Sequence, residues 1–573
     1  MASPALTQPS YSSSMADKPL LGMTIGDKFD QIATQYADND ALIVLHQNIH
    51  WSYRQLQEEV NRCARALLSI GVNKGDRVAI WAPNCSEWTL TQFATAKIGA
   101  ILVNINPSYR THELEYALNQ SGARFLVTAN SFKSSDYSAM LYELAPELNA
   151  CADGELKSQK LPDLECIINL SSEKLSGMWR WSDLMKEANK VSQTDVDDLQ
   201  ATLQFDDAIN IQYTSGTTGF PKGATLSHHN ILNNGFFVAE SMGFTSEDRL
   251  VIPVPLYHCF GMVMGNLGCM THGATMIYPD EGFDPGKVLK AVHEQKATAL
   301  YGVPTMFIAE LEHEGFASTD FSTLRTGIMA GSICPAEIMK QVINKMNMKG
   351  VQIAYGMTET SPVSTQTGAN DSIEKRVSTV GRTQPHLESK IVDPGNGGIL
   401  PRGEIGELCT RGYSVMLKYW NNDKATAEAI DEAGWMHTGD LATMDEEGYI
   451  QIVGRIKDMV IRGGENVYPK EIEEFLYAHP AISEVQVTGV PDKKYGEELI
   501  AWVKLNSTAG DVTGEELREY CKGKITHFKI PRYFKFVDEF PMTVTGKIQK
   551  FKMREISIQE LGLDPEAGLD QES

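Results

Sequence analysis

The sequence lacks the cysteine patterns that stabilise small secreted domains or bind metals. Its nine cysteines include no CxxC pair and no His/Cys spacing typical of a zinc site, so we expect reduced thiols in a reducing compartment. The chain is also poor in positive charge, because 51 Lys and Arg stand against 74 Asp and Glu and give a net charge of −23. Such a surface repels a phosphate backbone, which argues against nucleic acid as a partner.

The first 20 residues have little of what a targeting segment needs. They contain no basic region followed by an apolar run, and the first arginine of the chain is Arg54. We therefore expect neither a secretory signal nor a transit peptide, and a cytoplasmic protein rather than one of the mitochondrial matrix. Residues 250–279 carry no charge, but Pro253, His258 and Asn266 interrupt them. This stretch predicts buried core near a pocket, not an integral membrane segment.

The first two-thirds of the chain alternates short β-rich runs with helical stretches. RVAIWAP at residues 77–83 predicts a strand, and SEWTLTQFATAKIGAI at 86–101 predicts the helix after it. Further runs stop at Pro or Gly in the same way. This alternation is typical of parallel α/β layers, in which ligands gather at the carboxyl ends of the strands.

The texture of the sequence changes near residue 400. PRGEIGELCTRG and YIQIVGR predict a small β-rich subdomain with Gly turns. From about residue 458 to 555, short helical patterns and alternating strands predict a separate small α+β domain. We expect the acidic tail after residue 555 to be irregular. The predicted fold class is α/β, with a large N-terminal domain of layered sheets and helices and a small C-terminal domain.

The strongest chemical signal is YTSGTTGFPKG at residues 213–223, here called the phosphate motif. Glycines let backbone N–H groups approach an anion, hydroxyls add donors, and Lys222 adds a positive charge. Pro221 and Gly223 around that lysine exclude the P-loop pattern GxxxxGK[ST]. The motif predicts a polyphosphate-binding loop, with a flexible Ser/Gly loop as the alternative. The candidate phosphate-binding residues are Thr214, Ser215, Gly216, Thr217, Thr218, Gly219 and Lys222.

The phosphate motif resembles the signature of the acyl-adenylate-forming (AMP-binding) enzymes, a superfamily of acyl-CoA synthetases, peptide-synthetase adenylation domains and firefly-type luciferases. Five further motifs of that family follow in its order, and the resemblance covers about residues 25–555. They are PLYHCFG at 255–261, YGMTE at 355–359, TGD at 438–440, GRIKDMV at 454–460 and PMTVTGK at 541–547.

The resemblance implies a two-step reaction that uses ATP, Mg²⁺ and coenzyme A. A carboxylate does not react with a thiol at neutral pH until transfer of AMP gives it a good leaving group. Glu359 is then the Mg²⁺ ligand, since Mg²⁺ favours one or two carboxylates plus substrate phosphates. By resemblance Thr358 contacts the α-phosphate. The remaining nucleotide-binding residues implied are Gly331, Ser332, Tyr355 against adenine, Gly356, and the ribose contacts Asp440 and Arg455.

The family pattern also implies a moving C-terminal domain. Lys547 would contact the acid carboxylate and the phosphates during adenylation, and Lys457 would be the hinge. Rotation would then bring Gly463 and Gly464 toward the main domain, where the absence of side chains leaves room for a pantetheine arm. The implied organisation is an N-terminal AMP- and acyl-binding domain over residues 1–454, a hinge at 455–457 and a mobile domain over 458–573. His258 would orient and gate the acid, although a core histidine is the alternative.

The predicted acid pocket is apolar. Gly261, Gly265 and Gly268 recur at helical spacing, which indicates either space for an acyl chain or close helix packing. No Asp matches the α-amino anchor of amino-acid-activating domains, so the wall suits an aliphatic or aromatic monocarboxylic acid. The candidate pocket residues are Phe237, His258, Met262, Val303 and Met306.

The most similar subgroup is that of medium-chain fatty-acyl-CoA synthetases, which implies a fatty acid:CoA ligase with a carboxylic acid, ATP and CoA as its small-molecule partners. An aromatic acid:CoA ligase and acyl transfer to a separate carrier protein are the alternatives, and a luciferase-like oxidase shares the adenylation motifs. An inactive nucleotide-binding scaffold is a further alternative. The joint presence of Lys222, Glu359, Asp440, Arg455 and Lys547 argues against it.

Overall fold

The structure, a computed structural model, describes residues 8–214, 221–331, 334–463, 465–506, 510, 512–542 and 548–564. The chain divides into two compact units. The larger unit comprises residues 12–389 and 409–437, and the smaller unit comprises residues 1–11, 390–408 and 438–573. The predicted boundary at residues 454–458 stays a prediction. The strands along which the chain passes from one unit to the other are Tyr11–Ser13, Leu387–Val392, Gly406–Gly412 and Met436–Met444.

An eight-stranded sheet forms one layer of the larger unit. The run RVAIWAP forms its strand Arg77–Trp81, and the last four residues of that strand are buried, as expected for a parallel strand covered on both faces. The sheet is parallel until its final three strands, which pair antiparallel. In spatial order the strands are Trp179–Arg180, Cys166–Asn169, Phe125–Thr128, Arg77–Trp81, Ile101–Asn104, Ala208–Thr214, Lys222–Ser227 and Lys418–Tyr419.

A seven-stranded sheet forms the second layer. It is parallel except for the hairpin at one edge, between Asp40–Val44 and Ile49–Ser52. The predicted parallel α/β layers are therefore confirmed. In spatial order the strands are Gly350–Gln352, Thr326–Met329, Ala299–Gly302, Arg249–Val251, Thr275–Tyr278, Asp40–Val44 and Ile49–Ser52.

Helices cover the sheets of the larger unit. Helix Ser86–Ile98 is buried on almost every side, and its Lys97 is neutralised by both carboxylate oxygens of Asp30 at 2.7 Å. The other helices are Ile25–Gln35, Tyr53–Ser69, Thr111–Ser121, Tyr137–Leu144, Trp181–Glu187, Gln193–Gln200, His228–Ser241, Gly268–His272, Pro285–Glu294, Pro304–Glu312, Ala336–Lys345, Ile373–Ser378 and Asp423–Ala429.

The charge-free stretch at residues 250–279 lies in the core of the larger unit, as predicted. It forms a π-helix, Phe260–Leu267, between buried strands. Among the residues that the structure describes, no helix combines the length and the apolar character needed to span a bilayer. The remaining strands of this unit form small sheets from Ala354–Gly356, Val363–Gln366 and Arg382–Thr383, and from Ser131–Phe132 and Ser135–Asp136.

The smaller unit contains the predicted α+β elements. Strand Gly496–Leu505 pairs antiparallel with Ile482–Asp492 and parallel with Tyr533–Phe536. The prediction of an irregular tail after residue 555 was wrong for residues 556–561, because Met553 and Ser557 are buried and the chain there continues a helix. The other strands are Ile450–Arg455, Val460–Arg462 and Glu465–Val467, and the helices are Pro469–Tyr477, Gly514–Cys521 and Lys550–Leu561.

Candidate active site

The phosphate motif joins two antiparallel strands. Ala208–Thr214 and Lys222–Ser227 pair so that Thr214 lies opposite Lys222, with the threonine hydroxyl 3.4 Å from the lysine carbonyl oxygen. The two ends of the motif therefore lie next to each other, at the carboxyl end of strand Ala208–Thr214. Five candidate residues of this motif lie outside the described part of the chain: Ser215, Gly216, Thr217, Thr218 and Gly219.

Tyr419 links the phosphate motif to Glu359. The Nζ atom of Lys222 lies 5.1 Å from the centre of the Tyr419 ring, which is a cation–π distance. The hydroxyl of the same tyrosine donates to Glu359 Oε1 at 2.7 Å. Burial and the adjacent carboxylate raise the pKa of Tyr419, so the hydroxyl keeps its proton and acts as donor. The structure thus brings two predicted site residues together through a tyrosine that the sequence analysis missed.

The segment that carries Glu359 has a tightly constrained backbone. At Gly356 a Cβ atom would lie 1.7 Å from the carbonyl oxygen of Pro362, so no other residue fits there without a backbone shift. The next turn, Thr358–Thr360, places Thr358 partly exposed and Glu359 buried. The glycine of YGMTE therefore has a packing reason that the sequence pattern alone does not supply.

Asn234 fixes the strand that follows this segment, through the backbone of Val363. It lies in helix His228–Ser241 and makes both hydrogen bonds of its amide with the backbone of Val363, at 2.8 and 3.0 Å. Tyr355 is partly buried on strand Ala354–Gly356, opposite Thr365. Its predicted contact with adenine stays a prediction.

Glu359 is suited to hold Mg²⁺. It is a buried carboxylate, Tyr419 occupies Oε1, and Oε2 accepts no hydrogen bond from any residue that the structure describes. Carboxylate oxygen is a preferred Mg²⁺ ligand, and the nearby lysine provides charge for phosphates. The donor set therefore fits a magnesium–nucleotide complex.

Two loops meet at the carboxyl ends of neighbouring parallel strands. Gly331 follows strand Thr326–Met329 with φ +93°, and Val303 follows strand Ala299–Gly302. A Cβ atom on Gly331 would lie 3.1 Å from a methyl carbon of Val303, so a predicted nucleotide residue adjoins a predicted pocket residue. Val303 and Met306 are both partly exposed and apolar, whereas Ser332 lies outside the described residues.

His258 lies at the end of the loop before the π-helix. Its ring centroid is 4.2 Å from that of Tyr257, and its carbonyl oxygen accepts the N–H groups of Gly261 and Met262 at 3.0 Å. The imidazole is partly exposed. Its gating role stays a prediction.

The glycines after His258 pack closely against neighbouring elements. A Cβ atom at Gly261 would lie 2.4 Å from the carbonyl oxygen of Pro255, and one at Gly265 would lie 3.0 Å from Ile252. Of the two alternatives, a groove for an acyl chain is therefore wrong at these two positions, and close packing holds.

Met262 and Phe237 are buried within the protein. The Met262 sulfur accepts the amide N–H groups of Asn104 and Gln212 at 3.1 Å. Phe237 is 2% exposed, and its ring packs near Tyr413. Their role as pocket walls stays a prediction, and Val303 and Met306 are better placed to contact a ligand because they are partly exposed.

In the smaller unit, the two residues predicted to contact the ribose lie side by side. Asp440 and Arg455 lie opposite each other on strands Met436–Met444 and Ile450–Arg455, with Arg455 Nε 2.9 Å from Asp440 Oδ1. Lys457 follows in a short 3-10 turn, Ile456–Asp458. Gly463 has φ +62°. Gly464 and Lys547 lie outside the described residues.

Comparison with known families gives two matches along the chain. Residues 29–420 match the model of the AMP-binding enzymes, and residues 471–547 match the model of the AMP-binding enzyme C-terminal domain. Together these ranges contain four of the six sequence motifs described above, and the other two, TGD and GRIKDMV, lie between them.

Full-length relatives are also similar. YngI of Bacillus subtilis (strain 168), which carries the provisional name acyl-CoA synthetase, is 53% identical over 544 residues and covers 95% of this chain and 99% of its own. The mitochondrial medium-chain acyl-CoA ligase ACSF2 of Danio rerio is 45% identical over 562 residues, covering 98% and 92%. The crystal structure of the anthranilate CoA ligase AuaEII with anthranoyl-AMP is 26% identical, with a TM-score of 0.81 and coverage of 96% and 99%.

Proposed function

The chain belongs to the family of AMP-binding enzymes, and on that premise we propose that it is an ATP-dependent fatty acid:CoA ligase that prefers acids of medium chain length. Family membership confirms the resemblance found in the motifs, and with it the α/β fold class and an AMP-forming acid–CoA ligase activity. ATP, Mg²⁺ and CoA are the cofactors and partners that this activity uses.

The reaction has two steps. A carboxylate oxygen of the acid first bonds to the α-phosphorus of ATP, and pyrophosphate leaves with the electrons of the broken P–O bond. The CoA sulfur then bonds to the acyl carbon, the thiol proton passes to solvent, and AMP leaves with the electrons of the broken C–O bond. Mg²⁺, when bound, supplies positive charge to the phosphate oxygens.

The observation that supports this assignment best is the cluster of Lys222, Tyr419 and Glu359. Lys222 supplies charge for a phosphate at the end of the phosphate motif, and Glu359 offers a carboxylate oxygen on the other side of the Tyr419 side chain that both residues contact. A fixed cation and a fixed metal ligand favour a transition state in which negative charge accumulates on the oxygens around the α-phosphorus.

The proposed acid site is the apolar edge formed by Val303 and Met306, beside Gly331. Such an edge suits a carboxylic acid with an apolar body. The Danio rerio relative is named as a medium-chain acyl-CoA ligase, which favours an aliphatic acid here. The AuaEII structure favours an aromatic acid as the second candidate, since that enzyme is an anthranilate CoA ligase of similar fold.

Acid-dependent exchange of labelled pyrophosphate into ATP tests the proposal. The acids are the even-numbered series from acetate to palmitate, together with benzoate and anthranilate, each at several concentrations. We expect the exchange rate to peak in the middle of the aliphatic series. A maximum with an aromatic acid, or no exchange with any acid, would contradict the proposed substrate. Replacing CoA by a phosphopantetheinyl carrier protein in the complete reaction tests the alternative acceptor.

The Lys547→Ala variant provides the matched control for the two half-reactions. By its motif, Lys547 acts on the carboxylate and phosphates in adenylation only. The variant should lose pyrophosphate exchange but convert supplied acyl-AMP and CoA into acyl-CoA at the normal rate. Equal losses in both half-reactions would contradict the two-pose mechanism.

The location of the enzyme stays a prediction. The cytoplasm is the location expected in the sequence analysis, whereas the name of the Danio rerio relative includes mitochondrial. Fractionation of the source cells with matrix and cytosolic markers distinguishes the two compartments.

A further inference from the structure

Tyr419 is fixed by backbone hydrogen bonds to the strand that ends the phosphate motif. Strand Lys418–Tyr419 pairs antiparallel with Lys222–Ser227, with Tyr419 opposite Ala224. On either side, Leu417 N donates to Thr225 O at 2.9 Å and Trp420 N donates to Gly223 O at 2.7 Å. The tyrosine backbone therefore cannot move without the strand that carries Lys222.

The same segment is also attached to Glu359. Met416 N donates to the carbonyl oxygen of Glu359 at 2.8 Å, and the Tyr419 hydroxyl donates to its carboxylate at 2.7 Å. The segment 416–420 thus contacts the metal-ligand candidate through both backbone and side chain. Its contacts with Glu359 and with the phosphate-motif strand fix the position of one relative to the other.

The hydrogen bond from the Tyr419 hydroxyl to Glu359 fixes which carboxylate oxygen stays available. Tyr419 is 5% exposed and Glu359 is also 5% exposed, so neither group has bulk water as an easy replacement partner. A phenol donates one proton, and a carboxylate has two oxygens. The bond to Oε1 limits rotation of the carboxylate and leaves Oε2 as the oxygen available to a cation.

We propose that Tyr419 is a positioning residue for Mg²⁺: its hydroxyl holds the Glu359 carboxylate in the orientation that binds the metal of the metal–ATP complex. The inference rests on the proposed role of Glu359 as Mg²⁺ ligand. Hydrogen bonds to metal-ligating groups keep ligands in orientation, and removing them typically weakens metal binding by about 10–100-fold.

The test measures metal binding without turnover. ATP is replaced by its α,β-methylene analogue, whose P–C bond is not cleaved and which therefore cannot transfer AMP to the acid. Mn²⁺ binding to the enzyme–analogue complex is followed by electron paramagnetic resonance, with Mg²⁺ as competitor. Tyr419→Phe keeps the ring beside Lys222 and removes only the hydroxyl. We expect the concentrations of Mn²⁺ and Mg²⁺ at half-saturation to rise about 10-fold.

Tyr278→Phe is the matched control. Its buried hydroxyl makes 2.7 Å hydrogen bonds with Thr89 and Asn266, so the substitution removes a comparable group in the same unit but away from Glu359. We expect unchanged metal binding in this variant. Equal half-saturation concentrations in the Tyr419 and Tyr278 variants would overturn the inference.

Glu359→Gln separates this inference from the proposed function. If Glu359→Gln leaves metal binding unchanged, the assignment of Glu359 as ligand fails. If it weakens metal binding while Tyr419→Phe does not, only the positioning role fails. Should Tyr419→Phe not fold, 3-fluorotyrosine at position 419 keeps the ring and a stronger donor. It should then give half-saturation at or below the wild-type concentration, and a rise would overturn the inference.

Discussion

Low pH should destabilise the helix that follows the phosphate motif, because that helix contains one buried histidine. His228 is the first residue of helix His228–Ser241 and is fully buried. Its Nδ1 atom accepts the backbone N–H of Ile25 at 3.1 Å, so the proton of the neutral ring is on Nε2. Burial lowers the pKa of His228 to about 4, because the charged imidazolium would lose its hydration.

The magnitude follows from the two pKa values. An unfolded histidine titrates near pH 6.5, so between pH 6.5 and 4 the unfolded state binds more protons than the folded state, and stability falls as the pH falls. The contribution of the neutral His228 ring to the stability of the folded state is fully present above pH 6.5 and is lost as the pH drops to about 4. A difference of about 2.5 pH units, at about 1.4 kcal/mol for each, gives about 3 kcal/mol.

Hydrogen exchange of the helix amides measures this effect locally, because a chain of two units has no single unfolding free energy. In His228→Gln the side-chain oxygen can accept the Ile25 N–H group, but nothing titrates. Between pH 7 and 4, protection of helix His228–Ser241 in the wild type should fall about 100-fold relative to the variant. His50→Gln, at a side chain that is 58% exposed, is the control: it keeps His228, so protection of helix His228–Ser241 should fall with pH as it does in the wild type. If the ratio of protection in the wild type to protection in His228→Gln stays constant with pH, the argument is refuted.

Two further predictions concern backbone fit and a buried charge. Gly356→Ala places a methyl group 1.7 Å from Pro362 O, so we expect hydrogen-exchange protection of the paired strand Val363–Gln366 to fall by about 3 kcal/mol and calorimetry to show loss of ATP binding; normal ATP binding would contradict this. Lys550→Met removes the ammonium group that lies 2.6 Å from the buried carboxylate of Glu473. The free energy of opening of helix Lys550–Leu561, measured by hydrogen exchange of its amides, should fall by about 3–5 kcal/mol. Arg554→Met, on the same helix at a more exposed pair, should cost about 1 kcal/mol or less, and equal costs would contradict the reasoning.

Much of the fold could be predicted from the sequence, because strands buried on both faces leave continuous apolar runs that stop at Gly or Pro. RVAIWAP and the helix after it were predicted close to their observed bounds, Arg77–Trp81 and Ser86–Ile98. The glycine alternatives after His258 could not be resolved in this way. Spacing places glycines on a face, but whether that face meets a ligand or another backbone depends on tertiary contacts such as that between Gly261 and Pro255.

The candidate site could be predicted only where chemistry is concentrated in short motifs. Lys222 and Glu359 belong to such motifs, whereas Tyr419 lies in LKYWNN, where nothing marks a functional tyrosine. Its importance arises from strand pairing between distant parts of the chain, which brings its hydroxyl to Glu359. A tyrosine flanked by apolar and polar residues predicts an ordinary half-buried strand, so the sequence offered no signal for this contact.

The position of Tyr419 on the edge strand of the eight-stranded sheet couples nucleotide affinity to the integrity of that edge. If metal and nucleotide bind only when strand Lys418–Tyr419 is paired, their binding must stabilise the pairing by the same factor by which pairing strengthens their binding. Saturation with nucleotide would then make the edge the better protected part of the sheet. A substitution that frays this edge would weaken binding of the nucleotide without touching a single ligand atom.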